Sequence, residues 1–156
     1  MPDPTPEETF FQFFTEVGIL AQLSRALFEA RLPEGFTLSQ FTVLNHLIRV
    51  KDGRTPLELA RAFQVPKTSM THSLAVLERH GLVRMAANAR DGRSKCVWIT
   101  EGGRAFRQAA LTGMVPDMAA IAARFPAARV GEVLPVLSDL RRIMDAMRDE
   151  DPAPNR

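Results

Sequence analysis

Residues 55–99 read TPLELARAFQVPKTSMTHSLAVLERHGLVRMAANARDGRSKCVWI. Along this stretch the apolar period changes from helical to strand-like. Thr55-Pro56 looks like a cap followed by a first helical position, opening a short helix through Leu57, Leu59, Ala60 and Phe63. Gln64-Val65-Pro66 breaks it. The pattern then predicts a helix from Lys67 to about His80, with Met70, Leu74 and Leu77 inward and Gly81 just past its end. Leu82–Ala86 reads as a strand, Asn88–Ser94 as a polar turn carrying Asp91-Gly92, and Lys95–Ile99 as a second strand. That turn exceeds two residues, so it should project from the body.

Working outward, residues 37–50 predict a helix with Phe41, Val43, Leu44, Leu47 and Ile48 on its apolar side, capped by Thr37 or Ser39. Asp52-Gly53 is a turn signal. Residues 1–6 are proline-rich and expected to fray. Thr5-Pro6 begins a helix with Glu7 and Glu8 in its first turn, where acids suit the exposed amide ends. Its run of Phe10, Phe11, Phe13, Phe14, Val17, Leu20, Ala21, Leu27 and Phe28 is more apolar than a one-sided surface helix needs. Burial against another subunit is one remedy, a thick single-domain core the other.

After the hairpin, Thr100 caps a helical run to about Ala123, in which Gly113 and Pro116 predict a kink or irregularity. The last helix is expected over about Ala128–Arg148. Val130, Val133, Leu134, Leu137, Leu140, Met144 and Met147 form a seam suited to a partner helix. Asp149 to Arg156 reads as a polar tail.

Composition narrows the class. The chain has 156 residues, 46% hydrophobic and 24% charged, which is enough for one self-supporting core and argues against a wholly disordered chain. A single cysteine, Cys96, rules out an intrachain disulfide framework. No stretch approaches a membrane span, and the acidic, proline-bearing start does not read as a signal peptide, so a cytoplasmic address is expected. The net charge is only +2, but residues 49–107 hold twelve Lys or Arg against five acids, between acidic ends. A basic middle suits a polyanion, or simply solubilises the surface.

Short helix, break, helix and hairpin form a helix-turn-helix with a wing, and helix-turn-helix proteins place the second helix in the major groove. Its exposed first turns offer Lys67, Thr68, Ser69, Thr71, His72 and Ser73, short polar groups able to approach base edges and phosphates. Arg90, Arg93 and Lys95 cluster about the hairpin turn, where arginine can enter a minor groove. Asp91 is out of place if bulk charge is the aim; a local ion pair or hydrogen bond fixing the turn would account for it.

The chain resembles the MarR family of bacterial winged-helix transcription regulators, in order, from roughly residue 8 to 148. The carrying segments are Thr37-Leu38-Ser39-Gln40-Phe41-Thr42-Val43-Leu44, Thr55-Pro56-Leu57-Glu58-Leu59-Ala60, Ser69-Met70-Thr71, Leu77-Glu78-Arg79-His80-Gly81-Leu82-Val83, Asp91-Gly92-Arg93-Ser94-Lys95 and Ile99-Thr100-Glu101-Gly102-Gly103. The expected architecture is mainly α with a small β-hairpin wing. A winged helix-turn-helix spans 37–100, and helical dimerisation regions span 7–31 and 101–148. The resemblance implies a homodimer joined through its terminal helices, binding a pseudo-palindromic site on double-stranded DNA. It usually implies a repressor, often relieved by a small aromatic or phenolic ligand. Arg93 corresponds to the wing arginine, with Asp91 as its companion. Ser69, Thr71, His72 and Ser73 correspond to the exposed recognition positions, with Lys67 and Thr68 at the helix start. Candidate interface residues are Phe10, Phe11, Phe14, Val130, Val133, Leu134, Leu137, Leu140 and Met144. The chain departs from the family at His72, where many members have arginine, and at Ala75, where many have an acid. Histidine lacks the bidentate fork of arginine, so sequence preference should differ and binding should respond to pH.

A ligand pocket is expected near Phe14, Gly18, Phe41 and Leu57. No metal site or cofactor is expected: His72 and His80 are two helical turns apart with no Cys or acid at ligand spacing. Cys96 reads as a small strand residue, with Lys95 beside it leaving room for reactivity. No nucleophile with a base, paired catalytic carboxylates or phosphate loop is present, so an enzyme is not expected. The competing class is a winged-helix protein-interaction module without a specific DNA target.

Overall fold

The computed structural model describes residues 3–150, with side chains described to residue 148. The described chain holds α1 (Pro6–Glu29), α2 (Leu38–Arg49), α3 (Pro56–Phe63), α4 (Lys67–Arg79), β1 (Val83–Ala87), β2 (Lys95–Ile99), α5 (Glu101–Ala122) and α6 (Ala127–Glu150). Of the expected polar tail, residues 149 and 150 continue α6, and the rest lies outside the described residues. By compactness the chain divides into Met1–Met114 and Val115–Arg156.

Local chemistry starts the first three helices in the same way. Thr5, Thr37 and Thr55 each accept the N–H three residues on, and Glu8, Gln40 and Glu58 each reach back to the cap's own N–H. These capping boxes satisfy amides that the helix leaves unpaired. They settle the start of α2 on Thr37, not Ser39. At the end of α3, Gln64 adopts φ +53°, a left-handed conformation rare for a side-chain-bearing residue. Its side-chain amide donates to the Arg61 carbonyl at 2.7 Å, which helps hold the tight turn into α4.

The core of the first unit is the winged helix. Val43, Leu44 and Leu47 of α2, Leu59 and Ala60 of α3, and Met70, Leu74 and Leu77 of α4 pack with Leu82, Val83, Val97 and Ile99. The inward positions expected on α4 are therefore all in this core. β1 and β2 pair antiparallel, Val83 with Ile99 through Ala87 with Lys95. An isolated bridge between Arg54 and Val97 adds a third, very short strand that the Asp52-Gly53 turn signal did not reveal. A second cluster, Leu32, Phe41 and Ala110, with Phe28 and Phe106 against it, ties α1, α2 and the first part of α5 together.

Two close approaches lock the base of the hairpin to α5. The Thr100 hydroxyl donates to the Gly81 carbonyl at 2.6 Å and accepts the Gly103 N–H at 3.0 Å. A Cβ on Gly103 would lie 2.1 Å from the Leu82 carbonyl oxygen, so only glycine lets the helix approach this closely. The Arg107 guanidinium grips the Asn45 side-chain carbonyl at 3.0 and 3.2 Å, joining α5 to α2.

α5 continues as one helix past Gly113 and through Pro116, where the sequence predicts a kink or irregularity. Proline removes one backbone donor there, but Thr112, four residues before it, is exposed, so water can satisfy its carbonyl. α6 likewise runs through Pro135. Neither α1 nor α6 has a buried residue among those described. Of the apolar run on α1, Phe28 packs against a core cluster, whereas Phe10, Phe11 and Phe14 are exposed, Phe11 to 80%. Among the described residues no helix is long and apolar enough to cross a membrane.

Candidate nucleic-acid interface

The fold puts the chemistry of α4 on its outer side because Met70, Leu74 and Leu77 occupy the inner one. Lys67, Thr68, Ser69, Thr71 and His72 are exposed, and Ser73 is half-buried. The Thr71 hydroxyl donates to the Lys67 carbonyl at 2.8 Å, which leaves its oxygen outward as an acceptor. In contrast to α1, α2 and α3, α4 begins at Pro66 with no side-chain cap. Its first-turn amides thus sit beside Lys67 at the positive end of the helix dipole, a combination suited to an anion.

The wing turn is built by short polar side chains. The Asn88 carboxamide donates to the Ser94 hydroxyl at 2.9 Å and accepts the Arg90 N–H at 3.0 Å. The Asp91 carboxylate accepts the Arg93 N–H at 3.0 Å, and its backbone carbonyl accepts the Ser94 N–H at 3.1 Å. Asp91 therefore serves the turn through a hydrogen bond to the backbone of Arg93. Arg90, Arg93 and Lys95 are exposed around this frame.

The four residues of the expected ligand pocket have unlike surroundings. Phe41 is buried with its ring 5.6 Å from that of Phe28, whereas Phe14 and Leu57 are exposed and Gly18 has open space where a side chain would be. Phe14 instead lines an open apolar hollow on α1 with Phe10, Phe11 and Thr15. A separate cavity of about 260 Å³, bordered by Arg25, Ser39, Thr42, Phe63, Ser69 and Met70, includes none of the four. Cys96 is a buried free thiol opposite Ala86 in the hairpin.

Two neighbours of this surface escaped the sequence. The Arg84 guanidinium lies over the Trp98 ring at 5.8 Å, and Asp52 accepts the Ile99 N–H at 3.0 Å. Trp98 was legible as a strand aromatic, but nothing local marks a contact spanning 47 residues. His46 sits with its ring 5.3 Å from that of Phe63, and burial, followed by the charge of Arg54, lowers its pKa. The Thr55 backbone N–H, as the largest cause, lowers the pKa of Glu58.

Residues 34–94, which hold α2, α3, α4, β1 and the wing turn, match the model of the MarR family. Over this stretch the chain is similar to the MarR family. Over 97 residues the chain is 33% identical to the transcriptional activatory protein BadR of Rhodopseudomonas palustris. That match covers 61% of this chain and 54% of the relative, so the chain spans about half the length of the curated relative it matches. MarR-like architecture extends further than the family model does. The transcriptional regulator BldR from Sulfolobus solfataricus superposes with a TM-score of 0.74 at 21% identity, covering 92% of this chain and 99% of that one. Wild-type MarR from E. coli gives 0.69 at 24% identity, over 81% and 94%. A MarR transcriptional regulator from Methanosarcina mazei gives 0.75 at 18% identity, over 86% and 97%. At these identities the likeness establishes the fold.

Proposed function

We propose that the chain is a dimeric, sequence-specific DNA-binding transcription regulator. The observation that carries this reading is the pairing, within one MarR-family winged helix, of an uncapped polar helix start with a hydrogen-bonded basic turn. α4 enters the major groove through Lys67, Thr68, Ser69, Thr71, His72 and Ser73. Arg93, with Arg90 and Lys95 beside it, follows the adjacent minor groove and phosphates. Asp91 keeps the turn in shape. The exposed apolar residues of α1 and α6, including Phe10, Phe11, Phe14, Val130, Val133, Leu134, Leu137 and Met144, together with the half-buried Leu140, bury against a second copy, which presents two half-sites to a pseudo-palindrome.

The finer reading is a repressor relieved by a small aromatic or phenolic ligand, acting in the cytoplasm. It rests on the resemblance alone. BadR is an activatory protein by name, which favours activation as the second reading. Fluorescence anisotropy with duplexes tiled across the region beside the gene, at two salt concentrations, tests the binding. The expected result is saturable binding to one duplex, falling steeply with salt as counterions are released. A reporter driven from that duplex reads the sign. Absence of binding at low salt would move the function to the protein-interaction module.

A further inference from the structure

A protein that places a helix and a wing on one duplex must hold the angle between them. Here the hairpin is gripped from both outer edges by carboxylates. On the β2 edge, the Val97 N–H donates to the Arg54 carbonyl at 2.8 Å, and the Gly53 N–H donates to the Val97 carbonyl at 3.0 Å. Two residues on, that short bridge has ended, and the Ile99 N–H would lack a partner on this side. Asp52 supplies it: one carboxylate oxygen accepts both the Ile99 and the Gly53 N–H, each at 3.0 Å. The other oxygen lies 3.8 Å from the Arg104 guanidinium on α5. One side chain thus fastens the loop after α2, the end of β2 and the start of α5. On the β1 edge, the Met85 N–H donates at 3.2 Å to the Glu78 carboxylate, which comes from the last turn of α4. The loop is also pressed from above. A Cβ on Gly53, which has φ +70°, would come within 2.6 Å of the Trp98 ring.

We infer that Asp52, with Glu78 on the opposite edge, is a positioning residue for DNA binding. It contacts no DNA and sets the angle at which Arg93 meets the duplex while α4 is seated. The inference rests on the DNA-binding function proposed above. An acid beside a basic surface weakens the attraction to a polyanion, so what position 52 contributes is its acceptor oxygens, not its charge.

Substitution separates these two properties. Asp52→Asn keeps an acceptor for both N–H groups, and Asp52→Ala keeps none. The probe is the operator duplex found by tiling, or a mixed-sequence duplex at low salt where tiling finds none. Against full-length protein, Asp52→Ala is expected to bind about tenfold more weakly, and Asp52→Asn within about threefold of the parent. In an Arg93→Ala background the same Asp52→Ala change should add less than about twofold, because the group it positions is gone. Equal losses in both backgrounds, or an unchanged affinity of folded Asp52→Ala, overturn the inference and leave DNA binding intact. An Arg93→Ala protein with undiminished affinity would instead remove the wing from the DNA, a separate failure that takes the inference with it. Should Asp52→Ala not fold, Glu78→Ala against Glu78→Gln asks the same question from the β1 edge. Both remove the charge, and only glutamine keeps the acceptor. Alanine should bind several-fold more weakly while Arg93 is present, and equal affinities overturn the proposal.

Discussion

Leu77 and Leu134 are both helical leucines at positions that a three-and-four spacing marks as inward. Leu77, on α4, is fully buried, while Leu134, on α6, is 57% exposed. The contrast extends to their regions. From α2 to β2 each apolar face has a partner within the chain, and the residues left outside are mostly polar or basic. On α1 and α6 the order is reversed: Phe10, Phe11, Leu20 and Leu23 on one helix, and Val133, Leu134, Val136 and Ile143 on the other, remain exposed. Soluble monomers rarely leave apolar patches of that extent in water. Periodicity therefore reports that a helix has an inward side without reporting which molecule supplies the inside.

The largest expected effect lies in the finished region. Leu77→Ala should lower the unfolding free energy by about 2–5 kcal/mol, since a cavity is left in a closed core. Urea denaturation followed by circular dichroism measures it, and a loss below 1 kcal/mol would mean that α4 is less well packed than its burial indicates. The unfinished region should respond differently. Leu137→Glu should leave the helical signal in place and turn a sedimenting dimer into a monomer. DNA affinity should then fall about a hundredfold, because two half-sites no longer bind as one unit. A dimer that survives this change would erase the distinction between the two regions.

The parts of the fold that could be read from the sequence are those whose causes are local. Thr5-Pro6, Thr37 and Thr55-Pro56 start helices through partners three residues away, and each does so here. The wing turn was legible for the same reason, and the expected bond to Asp91 is made by the neighbouring Arg93 N–H. What remained hidden depends on approaches that only the folded chain creates. Asp52 meets Ile99 across 47 residues and Arg107 meets Asn45 across 62. Gly103, legible in the sequence only as one of a Gly-Gly pair, is required by the close approach of the Leu82 carbonyl. Pro116 does not end α5, because a single lost helical bond at an exposed position is a small enough penalty for the helix to continue, as the sequence predicts to about Ala123.

Intermediate in size is Arg93→Ala, which should cost about 1–3 kcal/mol of operator binding while leaving thermal stability unchanged. It separates a surface that acts by contact from the buried positions that act by packing. Titration of the duplex at fixed salt is the measurement, and an unchanged affinity would take Arg93 out of the interface.

The smallest effect should come from the seam between core and surface, where His46 lies half-buried beside Phe63. Burial first, and the positive charge of Arg54 second, hold its pKa below the ordinary 6.5. As pH falls through 6.5 the unfolded chain takes up the proton more readily than the folded one. Stability therefore drops across the window from that value down to the lowered folded pKa, and levels off below it. Because His46 is only partly buried, the drop in melting temperature should be modest, about 1–3 °C. His46→Gln, which cannot titrate, should flatten this part of the profile. A profile that keeps the same slope in the variant would show that the packing of α2 against α3 is indifferent to the charge at position 46, and that another group titrates in that window.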